Sequence, residues 1–392
     1  MRRIGIFGGT FNPPHIGHER SANEAARQLE LDLLIVVPTG NPPHKELPTG
    51  SPGAEMRLSM VFSAFNNAKN VVVSDLEIRK TVPNYTVDTV ASVRSEYPEA
   101  EIFLLVGTDM FLTLESWRDS EILLKDVTPA VFSRSLGGEM QIAEHSRMLS
   151  DRYGVNTKFI VNNAVEISSS QLREMLPARK GSGYIADTIY SYIIRHRLYG
   201  AKPDWNWLRE RAFSMLDPAR IPHVAGCEEE ALLLASRWGI DADDTREAAI
   251  LHDITKKLSP EEHIKILDDN GVEVGKLEPA EEKLLHSKTG AVQAKVEFGV
   301  NDAVYNAIKW HTTGRAGMSE LEKVIYLADY IEPNRDFEGV GELRALAYIN
   351  LDDAMIMGLE LSIADMTDRG IIPNRSTVDA LEDLRNCPAR KE

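Results

Sequence analysis

The chain has 392 residues, of which 43% are hydrophobic and 27% charged, and its formal net charge is −16. This composition is that of a globular protein, and the length favours two domains over one core. The acidic balance disfavours general binding to nucleic acid or to an anionic membrane, while a local site for small anions stays compatible with it. Two cysteines, Cys227 and Cys387, exclude a disulfide framework and favour a reducing compartment.

The N-terminal residues predict neither a signal peptide nor a membrane anchor, because Met1-Arg2-Arg3 runs directly into a short apolar stretch. The chain also has no apolar run long enough to span a bilayer. We therefore expect a cytoplasmic protein. A homo-oligomer is compatible with this composition, which does not define the oligomeric state.

The first half alternates short β-rich runs with helical patterns. The predicted strands are Ile4–Phe7, Leu33–Val37, Val71–Ser74, Ile102–Val106, Val127–Phe132 and Lys158–Val161. The predicted helices are Glu19–Leu29, Ala54–Asn66, Val87–Tyr97, Glu139–Asp151 and Asp187–His196. This alternation predicts an α/β, Rossmann-like domain, in which a parallel sheet is covered by helices on both faces. Ligands of such sheets bind beyond the carboxyl ends of the strands.

The second half loses the strand signal and is predicted to be all-α. Its helical windows are Trp205–Leu216, Ala219–Trp238, Asp243–Leu251, Pro260–Asn270, Ser287–Phe298, Asn301–Trp310, Glu320–Ile331, Gly341–Ile349 and Asp352–Arg369. A glycine- and proline-containing stretch separates the two patterns. We therefore predict a first domain over residues 1–198, a linker over 199–204 and a second domain over 205–392.

The first predicted strand runs into Gly8–His18, with the sequence Gly-Gly-Thr-Phe-Asn-Pro-Pro-His-Ile-Gly-His. Glycines let backbone N–H groups approach a polyphosphate, and the start of the following helix attracts the same anion. His15 and His18 are three residues apart, so they lie on one helical face. Because the lysine of a P-loop is missing, we expect the positive charge to come from histidine and from more distant basic residues.

A second motif, Ile-Ser-Ser-Ser-Gln-Leu-Arg, occupies Ile167–Arg173. Together with Gly8–His18 it resembles the paired motifs of the nucleotidyltransferase superfamily, and residues 1–198 resemble nicotinate-nucleotide adenylyltransferases. Further segments that carry this resemblance are Pro42-Pro43-His44-Lys45, Ser74-Asp75-Leu76-Glu77, Tyr85-Thr86-Val87-Asp88-Thr89, Gly107-Thr108-Asp109 and Ser116-Trp117-Arg118.

The resemblance implies adenylyl transfer from ATP, with Mg²⁺, to nicotinate mononucleotide, which gives deamido-NAD and pyrophosphate. The residues implied around the ATP phosphates are Gly8, Gly9, Thr10, Phe11, His15, His18 and Lys45. Ser168, Ser169 and Arg173 are implied to bind the leaving pyrophosphate. Asp109 is implied to contact the nucleoside, and Thr86 and Trp117 the pyridine ring. Lys45 is also compatible with a solvated loop, and Trp117 with a core position.

Three other substrates or families are alternatives for the first domain. Adenylyltransferases acting on pantetheine phosphate or on nicotinamide mononucleotide share the same superfamily motifs. An aminoacyl-tRNA synthetase is disfavoured, because the Lys-Met-Ser-Lys-Ser loop is missing from the sequence and an acidic surface suits tRNA poorly.

The second half carries His252-Asp253 directly after an apolar run at the end of a predicted helix. The further candidate metal ligands are His223, His286, His311 and Asp329. Six such side chains on five predicted helices converge only in the core of a bundle. Four imidazoles and two carboxylates favour Fe, Mn, Co or Zn over Ca or Mg. Two such ions would activate water for hydrolysis of a phosphate ester or anhydride.

Residues 205–385 resemble the HD-domain phosphohydrolases, whose ligand order they match. More narrowly, His311–Arg315 and Ala328–Asp336 resemble symmetrical bis(5′-nucleosyl)-tetraphosphatases. This resemblance implies hydrolysis of diadenosine tetraphosphate to two ADP at two divalent ions, iron first among them, with Asp253 also orienting the nucleophile. The cations implied to neutralise the polyphosphate are Lys256, Arg315 and Arg335.

Alternatives for the second domain are a nucleotidase, a cyclic-dinucleotide phosphodiesterase and a nucleotide sensor without catalytic activity. His263 fits no ligand position and is interpreted as a structural histidine, and Arg220 as a salt-bridge residue at a helix start. The whole chain is thus predicted to be a bifunctional enzyme.

Overall fold

The structure, a computed structural model, describes every residue except 41–45, 67, 81, 134–138, 162–164, 166, 273–283 and 387–392. The chain divides into two compact units, Met1–Lys202 and Pro203–Glu392. Within the described residues, no helix combines the length and apolar character needed to cross a membrane.

The first unit contains a six-stranded sheet. Its strands are β1 (Arg3–Gly9), β2 (Leu33–Pro38), β3 (Val71–Val73), β4 (Glu101–Gly107), β5 (Thr128–Ser133) and β6 (Lys158–Val161). All neighbouring pairs are parallel, in the order β3-β2-β1-β4-β5-β6. The predicted parallel α/β architecture is therefore confirmed. Every residue of β2 is buried, as expected for a strand covered on both faces.

Helices cover both faces of this sheet. Their bounds are α1 (Ile16–Gln28), α2 (Ala54–Phe65), α3 (Thr86–Glu96), α4 (Thr108–Phe111), α5 (Ser120–Asp126), α6 (Glu139–Tyr153), α7 (Ser169–Met175) and α8 (Asp187–Arg195). Alternate residues of β1 contribute to two cores, one containing Ile4 and Ile6 and the other Phe7. The strand order reverses between β1 and β4, so the loops after these two strands flank the crevice in which such folds bind ligands.

The second unit is all-α within the described residues, as predicted. Its helices are α9 (Trp205–Ser214), α10 (Ile221–Trp238), α11 (Ala242–Leu251), α12 (Pro260–Asp269), α13 (Leu285–Phe298), α14 (Asp302–Trp310), α15 (Glu320–Ile331), α16 (Val340–Ala347), α17 (Leu351–Asp368) and α18 (Arg375–Asn386). Helix α15 is central, because eight consecutive residues, Leu321–Ala328, are buried.

Helix α18 was not among the predicted helices. Its sequence is strongly polar, and it contributes only a narrow apolar stripe, Ala380, Leu381 and Leu384, to the core. A stripe of this width gives a weak periodic signal in the sequence, so the helix depends on its packing against α17.

Candidate functional sites

The loop between β1 and α1 brings the two motif histidines together. His15 is the N-cap residue of α1, and its backbone N–H donates to Nδ1 of His18 over 3.2 Å. The centroids of the two rings lie 3.8 Å apart. Phe11, which has a left-handed backbone conformation (φ 46°), is buried and packs its ring edge-on against His18.

Both histidines are neutral at neutral pH. Burial lowers the pKa of His15 to about 4, and burial together with the nearby His15 lowers the pKa of His18 to about 3. These lowered pKa values disagree with the expectation that histidine supplies the positive charge. Nδ1 of His15 is buried and has no hydrogen-bond partner in the part of the chain that the structure describes.

The second motif docks onto the first. Helix α7 begins after Ser168, whose hydroxyl accepts from the backbone N–H of Gln171 in a capping box. Arg173 donates through Nη1 to the carbonyl of Asn12 over 2.6 Å, and Ser169 donates through Oγ to the carbonyl of Pro13 over 2.9 Å. Two motifs that are far apart in the sequence thus meet at the carboxyl end of β1, where Arg173 supplies a positive charge.

Two further residues hold this loop, and sequence reasoning missed both. Arg57 of α2 is fully buried and donates to the carbonyls of Thr10, over 2.8 Å, and Gly40, over 3.2 Å. Tyr199 donates through its hydroxyl to Oδ1 of Asn12 over 2.8 Å. Tyr199 falls in the stretch 199–204 that was predicted to be a linker. The available signal for Arg57 was a lone arginine within the apolar face of a predicted helix.

The remaining predicted phosphate and nucleoside residues flank the same strand ends. Gly8 is exposed near the end of β1, where an added Cβ would contact nothing within 4 Å, and Gly9 ends the strand. Asp109 is exposed in the first turn of α4, directly after β4. Lys45 lies outside the described residues.

The two residues predicted to bind the pyridine ring lie on segments that contact each other. Thr86 is the first residue of α3, and Trp117 follows a short 3₁₀ turn after α4. Their neighbours meet, because the Arg118 guanidinium lies 4.4 Å from the ring centroid of Tyr85. Trp117 is half-buried and packs partly against the sheet core, so its ring serves the core at least in part.

In the second unit, the six predicted metal ligands converge. They lie on α10 (His223), after α11 (His252 and Asp253), on α13 (His286), after α14 (His311) and on α15 (Asp329).

Asp253 lies at the centre of this group. Its Oδ1 is 3.3 Å from Nε2 of His286 and 3.6 Å from Nε2 of His311. Its Oδ2 is 3.5 Å from Nε2 of His252 and 3.9 Å from Nε2 of His223. One carboxylate therefore faces four imidazoles.

Hydrogen bonds orient three of the imidazoles. Nδ1 of His252 and Nδ1 of His311 each lie 2.7 Å from a backbone carbonyl, those of Ala249 and Ile308. Because a carbonyl only accepts, both rings carry their proton on Nδ1 and direct the Nε2 lone pair inward. Nδ1 of His223 lies 3.2 Å from Oε1 of the buried Glu332, which the sequence did not indicate.

This group fits divalent metal ions. Nε2 of His252 and Oδ1 of Asp253 are buried and have no hydrogen-bond partner among the described residues. Burial alone would raise the pKa of Asp253, but the neighbouring imidazoles of His252, His286 and His311 hold it well below its usual range. A buried carboxylate kept ionised beside inward-facing nitrogen lone pairs is a suitable donor set for Fe, Mn, Co or Zn.

Three basic side chains lie against the same carboxylates. Arg220 donates through Nε to Oδ2 of Asp253 over 2.6 Å, so the predicted salt bridge of Arg220 is made to a candidate metal ligand. Arg335 donates through Nη2 to Oδ1 of Asp329 over 2.8 Å. Nζ of Lys256 lies 3.8 Å from Oδ1 of Asp253.

Two other basic residues are engaged elsewhere. Arg315 donates through Nη2 to Oε1 of the buried Glu322 over 2.8 Å. Nδ1 of the buried His263 lies 2.8 Å from Oγ1 of Thr289, which agrees with its interpretation as a structural histidine.

Comparisons with known proteins match both units. The cytidylyltransferase-like family matches residues 6–175, and the HD domain family matches residues 220–334. The chain is 37% identical over 212 residues to a probable nicotinate-nucleotide adenylyltransferase of Pseudomonas syringae pv. tomato, covering 51% of this chain and 95% of that protein. It is 31% identical over 366 residues to a probable nicotinate-nucleotide adenylyltransferase/Ap4A hydrolase of Mycoplasma genitalium, covering 92% of this chain and 97% of that protein.

Two solved structures cover one unit each. A Clostridium acetobutylicum protein described as a predicted HD superfamily hydrolase involved in NAD metabolism is 36% identical, covers 46% of this chain and 96% of its own, and gives a TM-score of 0.44. The nicotinic acid mononucleotide adenylyltransferase of Plasmodium falciparum, complexed with NaAD, is 20% identical, covers 52% of this chain and 99% of its own, and gives a TM-score of 0.44.

Proposed function

This chain belongs to the nicotinate-nucleotide adenylyltransferase family in a form fused to an HD domain, and from that membership we propose two activities. The first unit transfers the adenylyl group of ATP to nicotinate mononucleotide, giving deamido-NAD and pyrophosphate. The second unit hydrolyses diadenosine tetraphosphate symmetrically to two ADP.

The docking of α7 on the β1–α1 loop carries the first proposal. It brings the guanidinium of Arg173 and the hydroxyl of Ser169 to the backbone beside His15 and His18. The phosphate of the mononucleotide attacks the α-phosphorus of ATP, and the bond to pyrophosphate breaks, so the protein needs to align two phosphates and stabilise the charge that moves to pyrophosphate.

Within this proposal, the histidines bind ATP as neutral hydrogen-bond donors. A bound triphosphate would raise the pKa of both rings, because a nearby negative charge favours the protonated form. Mg²⁺ would enter with ATP and be held mostly by phosphate oxygens and water. Gly8, Gly9, Thr10 and Lys45 are proposed to contact the same phosphates, and Asp109 the nucleoside.

Acceptor choice tests the first proposal. Thr86 and Trp117 are proposed to bind the pyridine ring and its carboxylate, so nicotinate mononucleotide should be preferred over nicotinamide mononucleotide when pyrophosphate release is measured with ATP. Trp117→Ala should raise the KM for the nucleotide, while Trp117→Phe should retain much of the stacking. Equal use of both acceptors would contradict the assignment of Thr86 and Trp117.

The inward-facing imidazoles around Asp253 carry the second proposal. His223, His252, Asp253, His286, His311 and Asp329 would hold two divalent ions, of which Fe, Mn or Co suit the donor set. Such ions, when bound, activate water and neutralise charge on the phosphate chain. Lys256, Arg315 and Arg335 are proposed to bind the outer phosphates, as several fixed cations are needed for a tetraphosphate.

The products distinguish this activity from its alternatives. Chromatography of reactions with diadenosine tetraphosphate should show ADP alone, whereas AMP with ATP would indicate asymmetric cleavage and contradict the proposal. Chelation should abolish turnover, and added Mn²⁺ or Co²⁺ should restore it. Binding of diadenosine tetraphosphate without turnover in metal-loaded protein would instead indicate a nucleotide sensor.

A further inference from the structure

We propose that the thiolate of Cys227 is a further metal ligand in the second unit, completing one of its two ion positions with His223, His252 and Asp329. This inference rests on the proposed metal site and extends it. Cys227 is on α10 four residues after His223, so both side chains lie on the same helical face. Its side chain is buried with 2% exposure, which places the sulfur inside the unit.

The spacing of the candidate ligand atoms fits one ion. Sγ of Cys227 lies 3.4 Å from Nε2 of His223, and Oδ1 of Asp329 lies 3.0 Å from that same nitrogen. The ligand atoms of these residues and of His252 all lie within 4.8 Å of one another. In a tetrahedral site with metal–sulfur bonds of ~2.3 Å and metal–nitrogen bonds of ~2.0 Å, sulfur and nitrogen are ~3.5 Å apart.

His252 gives an independent indication that something binds among these atoms. Its ring is 1% exposed, Nδ1 is satisfied by the carbonyl of Ala249, and Nε2 has no hydrogen-bond partner in the described part of the chain. A buried ring nitrogen without a partner is unfavourable. If the Cys227 thiol only formed a hydrogen bond with His223, Nε2 of His252 would stay unsatisfied. An ion bound by both Cys227 and His252 would satisfy it.

The two ion positions then differ in chemistry. The other position is built from Oδ1 of Asp253, which lies 3.3 Å from Nε2 of His286 and 3.6 Å from Nε2 of His311. That group offers only nitrogen and oxygen. A thiolate makes the Cys227 position softer and favours Fe, Zn or Co over Mn or Mg there.

Cobalt spectroscopy of the full chain tests this inference without relying on activity. A thiolate bound to Co²⁺ gives a sulfur-to-cobalt charge-transfer band in the near ultraviolet, which imidazole and carboxylate ligands do not give. The chain has only two cysteines, so the Cys387→Ser variant leaves Cys227 as the sole thiol and changes none of the proposed ligands. We expect Cys387→Ser to show the band. Its intensity should correspond to one thiolate-bound Co²⁺ when two Co²⁺ ions are bound per chain.

The matched variants are Cys227→Ser and Cys227→Ala. Both should lose the band while retaining the visible cobalt bands of the second position, and the affinity for one equivalent should fall by about 10–100-fold. Two bound Co²⁺ ions in Cys387→Ser without a charge-transfer band would overturn the role of Cys227 and leave the proposed metal site intact. No Co²⁺ binding at all would overturn the metal site and this inference together.

Discussion

The two candidate sites are both proposed to bind phosphate chains, but they are built in opposite ways. The first is a backbone loop, held in place by side chains that donate to its carbonyls, such as Arg57 and Arg173. The second is a cluster of side chains from five helical segments around the buried Asp253. An anion site needs oriented N–H groups, which a loop supplies, whereas a cation site needs concentrated lone pairs, which only converging side chains supply.

Histidine shows the same difference. In the first unit, burial lowers the pKa of His15 and His18, and the neutral rings can donate to a phosphate. In the second unit, burial also lowers the pKa of His252 to about 4, but its proton is fixed on Nδ1 by a carbonyl, so Nε2 accepts. We therefore propose histidine as a hydrogen-bond donor in the first site and as a metal ligand in the second, because the ring nitrogen that is already hydrogen-bonded differs between the two sites.

The largest expected effect is that of Asp253→Asn. This substitution removes the carboxylate that faces both ion positions, so metal content should fall and hydrolysis of diadenosine tetraphosphate should drop by at least ~10³-fold. Adenylyl transfer by the same protein should persist. Metal analysis and both product assays provide the measurement, and His263→Gln, a buried histidine outside the cluster, is the control. Full metal content in Asp253→Asn would contradict the ligand assignment.

The next effect concerns the first unit alone. His18→Ala removes a proposed donor to the phosphates, and adenylyl turnover should fall by about 10²–10³-fold, with a smaller change in the KM for ATP. His196→Ala, which changes a histidine near the end of α8, should act as a neutral control. If steady-state kinetics show little change for His18→Ala, His18 has no part in the reaction.

Arg57→Met tests whether the loop depends on its buried support. The carbonyls of Thr10 and Gly40 would lose their donor, which should lower stability by about 2–3 kcal/mol and weaken ATP binding. The exposed Arg20→Met should change stability by less than ~0.5 kcal/mol. Thermal unfolding and calorimetric titration with ATP measure both effects. Equal behaviour of the two variants would show that the loop holds its shape without Arg57.

Glu332→Gln probes the corresponding support in the second unit. Glu332 accepts hydrogen bonds from the backbone N–H and side chain of Asn334 and lies against Nδ1 of His223. Loss of its charge should lower metal affinity by about 10–100-fold, because the ring becomes a less basic and less well oriented ligand. Titration calorimetry with Mn²⁺ measures this, with the exposed Glu342→Gln as control. Unchanged affinity would make Glu332 a purely structural residue.

The smallest effect is a pH dependence of stability in the first unit. His15 has a pKa of about 4 when folded and near 6.5 when unfolded, so its contribution is present above pH 6.5 and is lost as the pH falls toward 4. Between pH 7 and pH 5, the wild type should lose about 1–2 kcal/mol more stability than His15→Gln. Urea unfolding measures the difference, in the unfolding transition whose midpoint changes when ATP is added. Parallel losses would mean that His15 is protonated in the folded state.

Several features followed from the sequence because they depend on local chemistry. Hydrophobic periodicity and capping residues are local in the sequence, and they indicate the strands and most of the helices. The parallel sheet follows from the alternation of these strands and helices. The six candidate metal ligands were predicted from residue type and order, whereas the second motif, Ile167–Arg173, was identified through its resemblance to the nucleotidyltransferase superfamily. Helix α18 was missed because its apolar stripe becomes visible only against the core.

The sequence alone determined the two architectures and the chemical types of side chain that each site offers. Only the tertiary structure decided which atoms meet: Arg57 with the carbonyl of Thr10, Glu332 with His223, and Cys227 with the ligand cluster. Sequence spacing defines neighbours within a strand or helix, whereas contacts between elements depend on how the whole core packs. The same packing sets burial, and burial is what makes the motif histidines neutral.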